Sequence, residues 1–317
     1  MKPSPLERDI LSLALSSGDL TVAQFAELLG ARAHTVRYAL RRLEERGDLS
    51  RWVFIDRQRL GLIACNMYFN IPTSQIGTVT AFMQRHRTVQ WFGEIVGERH
   101  FEATLWVTGP GGIATFFSEL GEATGVNLTD RLMAIEGDTW HWGHRCLSER
   151  SARLKPLHFA EPAERCTIDE LDVRIINARR SPEFWEPAKI ARLLGVSATT
   201  IGYRITRLQR SKIIFDSYLV ERRLESIPEG HLLLEARSRD AARHNRILAA
   251  CQASPAVGGL IRCEGSWDYK IVLFGTEATT LLAAEEALRH SLDPEVTRTT
   301  FILRRSLFKS FAPIHLS

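Results

Sequence analysis

Apolar residues recur along this chain in two rhythms, one helical and one alternating. Near the N-terminus Ile10, Leu11, Ala14 and Leu15 fall at helical spacing, followed by Phe25, Leu28 and Leu29, and then by Val36, Leu40 and Leu43. Thr21-Val22-Ala23-Gln24 has the form of a capping box, and Gly30 and Gly47 close the second and third patterns. The third helix is expected from Ala33 to Arg46. Two short helices joined by a tight glycine turn, with a third closing the core, predict a helix-turn-helix. The run Leu49 to Ile55 follows as a wing or connecting strand. The pattern then predicts strand, helix, strand, strand, helix, strand over Ala64 to Ile71, Ile76 to His86, Val89 to Val96, Phe101 to Thr108, Gly112 to Ala123 and Asp130 to Glu136. That order describes a ferredoxin-like sandwich, one antiparallel sheet with helices on one face.

The whole pattern is written twice. Leu28-Leu29-Gly30 through Tyr38 aligns with Leu193-Leu194-Gly195 through Tyr203 at an offset of 165, continuing through Leu40/Ile205, Arg42/Arg207 and Leu43/Leu208. Asp9-Ile10-Leu11 aligns with Asp172-Val173-Arg174 at an offset of 163, and Gly97 to Phe101 with Gly265 to Tyr269 at 168. The second copy repeats the helices, with Pro187 in a first turn, and the strand run Ile213 to Val220. It then places its elements at His231 to Ala236, Ala241 to Ala253, Val257 to Cys263, Tyr269 to Phe274, Ala278 to His290 and Val296 to Leu303. The expected fold class is therefore α+β: two repeats, each an N-terminal (winged) helix-turn-helix followed by a ferredoxin-like βαββαβ sandwich. Helix-turn-helix domains are expected at 1–56 and 167–222 and ferredoxin-like ligand-sensing domains at 57–146 and 223–317. A polar linker containing Pro156 and Pro162 is expected at 147–166. A free sheet face carrying Tyr68, Trp106, Ile271 or Leu273 needs a cover, and the other copy is the expected one.

Composition narrows the class. A chain of 317 residues, 44% apolar and 25% charged, is neither disordered nor a disulfide-rich mini-protein. No run approaches the ~18 apolar residues of a membrane span, and the N-terminus lacks a secretory signal pattern. The five cysteines include no Cys-x-x-Cys, which disfavours a disulfide framework and a thiolate zinc site and makes a reducing cytoplasm the expected location. Lys and Arg exceed Asp and Glu by 41 to 37, a net charge of +4. So mild an excess permits a polyanionic partner without arguing for one, because placement matters more than the sum.

Placement brings in DNA. The outward positions of the two third helices are His34, Thr35, Arg37, Tyr38, Arg41 and Arg42, and Ser197, Thr199, Thr200, Tyr203, Arg204 and Arg207. A recognition helix lies in the major groove, where arginine reads guanine or binds phosphate and hydroxyls meet phosphate oxygens. Lys189, Arg192 and Arg210 add phosphate-binding capacity, while Glu44, Glu45 and Asp48 weaken the first copy. A solvated basic helix face is the plain alternative. Fusion makes the pairing of the modules intramolecular, and unlike recognition helices imply unlike half-sites.

Three motifs resemble the Lrp/AsnC family of feast/famine transcriptional regulators: Asp172-x-x-Ile175-Ile176, Ala191-x-x-Leu194-Gly195-x-Ser197-x-x-Thr200-Ile201-x-x-Arg204-Ile205-x-x-Leu208, and Gly265-Ser266-Trp267-Asp268-Tyr269. The resemblance covers nearly the whole chain, twice, where family members usually hold one module and dimerise. It implies a non-enzymatic, sequence-specific regulator bound to double-stranded DNA, with a small-molecule effector such as an amino acid between paired sensing domains. Further homo-oligomerisation is left open. Gly97, Arg99, His100, Gly265, Trp267 and Asp268 are the ligand-site candidates, Asp268 for a ligand ammonium. The plain readings are turn glycines and a turn aspartate bonding its own backbone. The first copy departs from the family in placing His100 where the aspartate would stand.

Arg99-His100-Phe101-Glu102-Ala103-Thr104-Leu105-Trp106 resembles a second family, the sirohaem decarboxylases, which use similar modules as paired or fused halves. It lacks the Tyr-Asn pair expected before Leu-Trp. The resemblance implies an alternative function, a tetrapyrrole decarboxylase whose carboxylate-rich substrate is met by Arg99, His100, Arg131 and Arg262. A non-catalytic interaction scaffold is the third reading. His141-x-x-His144-x-Cys146 offers three zinc-ligand types without a fourth, so an aromatic strand end covering an interface is expected there. No cofactor, metal or catalytic constellation is expected from the spacing.

Overall fold

The computed structural model describes residues 3–14, 20–128, 130–148, 156–160, 165–220 and 227–315. Leu15, most of the expected linker with Pro162, and the expected boundary at 222/223 lie outside the described residues.

The first three helices are α1 (Pro5–Ala14), α2 (Val22–Leu29) and α3 (Ala33–Glu45). The Thr21 capping box forms, with Gln24 N–H donating to Thr21 Oγ1 (3.3 Å) and Thr21 N–H to Gln24 Oε1 (2.8 Å). Strands β1 (Leu49–Ile55) and β2 (Ile63–Phe69) follow, then α4 (Ile76–Arg85), β3 (Val89–Val96), β4 (Phe101–Val107), α5 (Pro110–Thr124), β5 (Arg131–His141) and the short β6 (Leu157–Phe159). The second copy runs α6 (Glu170–Arg179), α7 (Pro187–Leu194), α8 (Ala198–Arg210), β7 (Ile214–Val220), β8 (Glu229–Ala236), α9 (Ala241–Ala253), β9 (Val257–Gly265), β10 (Tyr269–Phe274), α10 (Ala278–Leu292) and β11 (Val296–Ser310).

The strands after the helices tie the two copies together. β1 pairs antiparallel with β7, Leu49 opposite Val220 and Ile55 opposite Ile214. Tyr218 and Val220 of β7 pack into the core of α1–α3 beside Phe25 and Leu43. Val53 and Ile55 of β1 pack in return against Ile176, Ile201 and Leu208 of α6–α8. Neither three-helix unit completes its core with its own chain segment alone.

The remaining long strands close on themselves. The order is β2-β4-β3-β11-β8-β10-β9-β5, β5 pairs back onto β2, every pair is antiparallel, and β6 adds outside β5. Two separate sandwiches were expected, whereas the structure has a single eight-stranded barrel. An open edge would leave a row of unsatisfied backbone groups, and joining the half-sheets at β3–β11 and β5–β9 removes every edge of the ring. The joining also explains two strands that outrun their expected ends. β11 continues past Leu303 to Ser310 because that stretch pairs with β3. β5 continues past Glu136 to His141 because that stretch pairs with β9 and β6. Each joint has a glycine at its closest approach. A Cβ on Gly93 would collide with the Ser306 carbonyl, and one on Gly265 with the Met133 carbonyl.

Helices cover the outside. Met67, Phe92, Phe101 and Leu105 pack under α4 and α5 with Phe116 and Leu120. Leu232, Leu260, Ile271 and Leu273 pack under α9 and α10 with Ile247 and Leu281. Ile271 and Leu273, expected on a free face, thus face their own helices, whereas Tyr68 alternates with Met67 and points inward. Trp140 and Trp142, at the end of the first copy, join the second copy's core. Buried Arg145 beside them donates to the carbonyls of Cys251 (2.9 Å), Gln252 (2.8 Å) and Ser254 (2.7 Å), closing the C-terminus of α9. Among the described residues no helix is long and apolar enough to cross a membrane.

Candidate functional site

The barrel interior is polar at its centre. Glu102 on β4 takes Lys270 Nζ of β10 on Oε1 (2.7 Å) and Arg304 Nη2 of β11 on Oε2 (3.0 Å). Asn66 Nδ2 adds a third donor to Oε1 at 3.1 Å and reaches Thr104 Oγ1 at 2.9 Å. Arg304 also binds Glu229 Oε1 (2.5 Å) and lies 3.1 Å from His231 Nε2. Tyr68 Oη lies 3.0 Å from His231 Nδ1 and 3.4 Å from Glu102 Oε1. Glu102, His231, Lys270 and Tyr68 are all buried.

Burial pushes the Glu102 carboxyl up, but the fields of His231, Lys270 and Arg304 outweigh it and hold Glu102 well below the usual carboxylate range. His231 moves the other way. Burial, helped by Lys270 and Arg304 and opposed by Glu102, takes it below the usual imidazole range. Burial and the Glu102 charge raise the Tyr68 hydroxyl well above a free phenol. Arginine can only donate, so in the neutral form of His231 Nε2, which also lies 3.4 Å from Glu229 Oε1, accepts from Arg304 and the Nδ1 proton faces Tyr68. Tyr68 in turn donates to Glu102. Hydrogen bonds thus link His231 through Tyr68 to a carboxylate held ionised by the cationic groups around it.

Aromatic rings stop both ends of this interior. At one end Trp267 meets the Tyr68 ring edge-on, centroids 5.3 Å apart. At the other, Phe311 packs on Trp52 (4.3 Å) and Trp91 (4.5 Å). Arg180 lies over Trp52 and Trp106 and donates to the Ala312 carbonyl. Burial lowers the Arg180 guanidinium to about 9.

Two clefts lie outside. One of about 270 Å³ is lined by His86, Arg87, Gln90, Trp106, Glu119 and His315 among others. His86 Nε2 sits 2.6 Å from Glu119, and its Nδ1 sits 2.9 Å from Thr88 Oγ1. The second cleft, about 480 Å³, is lined by Ile63, Asp138, Arg165, Arg262, Cys263 and Glu264 among others.

The residues proposed from sequence fare unevenly. His34, Thr35, Arg37, Tyr38 and Arg41 are exposed on α3, as are Ser197, Thr199 and Tyr203 on and before α8. Arg42, Thr200, Arg204 and Arg207 are half-exposed. Four of the five arginines on these faces are already paired. Arg41 binds Glu45 (2.7 Å), Arg42 binds Glu7 (3.6 Å), Arg204 binds Asp169 and Asp172, and Arg207 binds Asp172. Ser197 caps α8 through Thr200 N–H (3.1 Å).

The ligand candidates do not form one pocket. Asp268 takes Ala236 N–H (2.7 Å) and Arg239 Nε (2.8 Å), so it ties its turn to the end of β8 rather than bonding its own backbone. Arg99 pairs with Asp130 (2.8 Å) and exposed His100 donates its backbone N–H to Asn70 (3.1 Å). Gly97 is exposed beside them, Gly265 serves a barrel joint, and Trp267 plugs the interior. Of the arginines named for a tetrapyrrole, Arg131 lies over the Phe117 ring and Arg262 lines the larger cleft. His141 stacks on Phe54 and His144 on Phe274, and no group of three or more metal-ligand side chains exists among the described residues.

Sequence reasoning missed the interior cluster. A signal was present: Glu102 and Lys270 stand as single charges inside apolar strands, and alternation places each opposite a helix-facing neighbour.

No protein-family model matches the chain, and no curated protein matches it. Among solved structures, the siroheme decarboxylase NirDL is similar over 99% of this chain and 95% of its own, with a TM-score of 0.63 and 10% identity. The same enzyme in co-complex with an iron-uroporphyrin III analogue gives a TM-score of 0.62 over the same shares. An AsnC family transcriptional regulator from Agrobacterium tumefaciens covers 47% of this chain, with a TM-score of 0.41 and 16% identity. The likeness to the decarboxylase is one of fold, and it spans both copies and their joints. The expectation of a non-enzymatic transcriptional regulator does not stand against it. Over its full length the chain resembles in fold a solved enzyme.

Proposed function

We propose that this protein binds a polycarboxylated tetrapyrrole and removes side-chain carboxyl groups from it as CO₂. The carrying observation is the likeness of fold to a siroheme decarboxylase over the entire chain. We further propose that the chain is two fused modules whose sheets merge into one barrel, a reading supported by the pairing of β3 with β11 and of β5 with β9.

The chemistry asked of the protein is modest. An acetate side chain loses its C–C bond to the carboxyl carbon, CO₂ leaves, the electron pair stays on the methylene carbon, and a proton completes a methyl group. No oxidant or reductant enters the balance. The protein must hold the other carboxylates, shield the ring, and supply a proton. Arg165 and Arg262 in the larger cleft suit carboxylates. The hydrogen-bonded series His231–Tyr68–Glu102 is a proton-bearing network that folding does not require, since apolar packing fills a barrel at least as well as buried charges. The internally paired arginines of α3 and α8 leave less free positive charge for a phosphate backbone.

The test is titration of the full chain with siroheme and with iron-uroporphyrin III, followed by absorbance, then mass analysis of the recovered tetrapyrrole. A saturable spectral shift and stepwise loss of CO₂ are expected. Unchanged spectra at micromolar protein would overturn the proposal.

A further inference from the structure

The smaller cleft brings together three side chains from two separate segments. His86 ends α4, Thr88 follows it in the turn to β3, and Glu119 stands 33 residues beyond His86 in α5. Thr88 N–H donates to His86 Nδ1 (3.3 Å). A backbone N–H can only donate, so Nδ1 is bare and the ring proton sits on Nε2, 2.6 Å from Glu119 Oε2. Nδ1 therefore also accepts from the Thr88 hydroxyl, whose oxygen is 2.9 Å away. Hydroxyl, imidazole and carboxylate stand in the order of nucleophile, base and orienting group.

The imidazole is held in place. Phe82 and Phe116 pack against it, with ring centroids at 4.9 and 5.0 Å. Lys309 Nζ donates to the His86 carbonyl (2.7 Å), which fixes the backbone below the ring. Thr88, His86 and Glu119 all line the cleft. Gly112, Phe116 and Glu119 fall at i, i+4 and i+7, so one face of α5 forms a wall that includes the helix's first turn. The partial positive charge of that turn suits a developing oxyanion. Leu62, Val107 and Ile314 make the wall apolar elsewhere. Gln90 is buried in it, and its amide oxygen has no partner among the described residues, which leaves an acceptor for a donor on the substrate.

The lining selects no charged group. Arg87 is balanced by Glu119, and burial, with Arg87 and Lys309, lowers His315 toward its neutral form. At about 270 Å³ the cleft is small. Pockets for drug-sized ligands run from roughly 300 to 1,000 Å³. A short, uncharged acyl group fits these limits.

We propose that Thr88, His86 and Glu119 form a hydrolytic triad for short-chain carboxylic esters. This activity is additional to the tetrapyrrole reading and does not rest on it. Thr88 Oγ1 attacks the ester carbonyl carbon and its proton passes to His86 Nδ1. The C–O bond to the alcohol breaks, and the alcohol leaves with that proton. Water then attacks the acyl-Thr88 ester and gives a proton to Nδ1. The acid departs as Thr88 Oγ1 takes that proton back. Ester and water become acid and alcohol, with no oxidant or reductant. Glu119 is a positioning residue, because it keeps the ring proton on Nε2 and so leaves Nδ1 free to accept.

The test is hydrolysis of p-nitrophenyl acetate by the full chain, followed by absorbance, with peptide mass analysis of the acid-quenched protein. An acetyl group is expected on Thr88. Thr88→Val keeps the side chain's shape without its hydroxyl and should lower turnover by about 100-fold, with Thr88→Ser restoring it. Glu119 is half-exposed, so Glu119→Gln leaves the fold intact, and it should lower kcat by about tenfold with KM unchanged. Acetyl groups on lysines alone, or a Thr88→Val variant as fast as wild type, would show that the hydroxyl only closes the turn and would overturn the proposal. Should Thr88→Val fail to fold, the acetyl position in wild type and the kcat of Glu119→Gln still decide it.

Discussion

Glu102 on β4 and Lys270 on β10 occupy the same position in the two copies, 168 residues apart, and they carry opposite charges. They meet at 2.7 Å inside the barrel. An identical dimer cannot make this contact, because its axis would bring two glutamates or two lysines together. Because the two halves lie in one chain their equivalent positions need not be identical, and here they form a cross-half ion pair where symmetry would give repulsion. The first three helices of each copy teach the opposite lesson. Ser4 and Glu7 bond reciprocally at the start of α1, and Asp169 and Asp172 do so at the start of α6, again 165 residues apart. Glu7 then binds Arg42 and Arg46, and Asp172 binds Arg207 and Arg204. Here the copies kept one device. The contacts also correct the alignment, since the counterpart of Asp172 is Glu7 rather than Asp9.

The largest effect is expected at the diverged pair. Glu102→Ala leaves Lys270 and Arg304 buried without their common carboxylate and should cost about 3–5 kcal/mol in urea unfolding. The double reversal of Glu102→Lys with Lys270→Glu should recover part of that. A cost below about 1 kcal/mol for Glu102→Ala would show that the pair does not hold the halves together.

Next comes pH. His231 has a lowered pKa in the folded state, so the unfolded chain takes up its proton first as pH falls below 6.5. Stability is therefore complete above that value and declines below it. Glu102, also lowered, adds a further loss below the ordinary carboxylate value of 4.5. His231→Gln should flatten the upper part of the decline in chemical unfolding followed across pH, and an unchanged slope there would assign it to other groups.

The smallest effect concerns the retained device. Glu7→Ala and Asp172→Ala each remove half of a reciprocal cap and an arginine partner, and each should cost about 1–2 kcal/mol in thermal unfolding. Similar costs would sharpen the equivalence of the two helical units. A cost confined to one would break it.

Much of the architecture is legible in single residues. The Thr21–Gln24 box, the helical spacing of Val36, Leu40 and Leu43, and the alternation Phe101, Ala103, Leu105 each bury a face against a local neighbour, so local pattern suffices. The candidate site was less legible. Trp267 and Gly265 stand in a motif that looked like a ligand turn, yet one plugs the barrel and the other lets two strands approach. Glu102 and Lys270 were visible as charges within strands, but nothing near them in sequence says that they meet.

The sequence by itself determined the duplicated order of elements, the helix boundaries and the inward faces of the helices, because these follow from periods and caps within a few residues. Only the tertiary structure decided that β5 and β11 outrun their own halves, that the half-sheets close into a barrel, and that Glu102, His231, Lys270 and Arg304 share one interior. The reason is physical. Edge satisfaction and charge pairing depend on partners more than a hundred residues away, and no local period encodes such a partner.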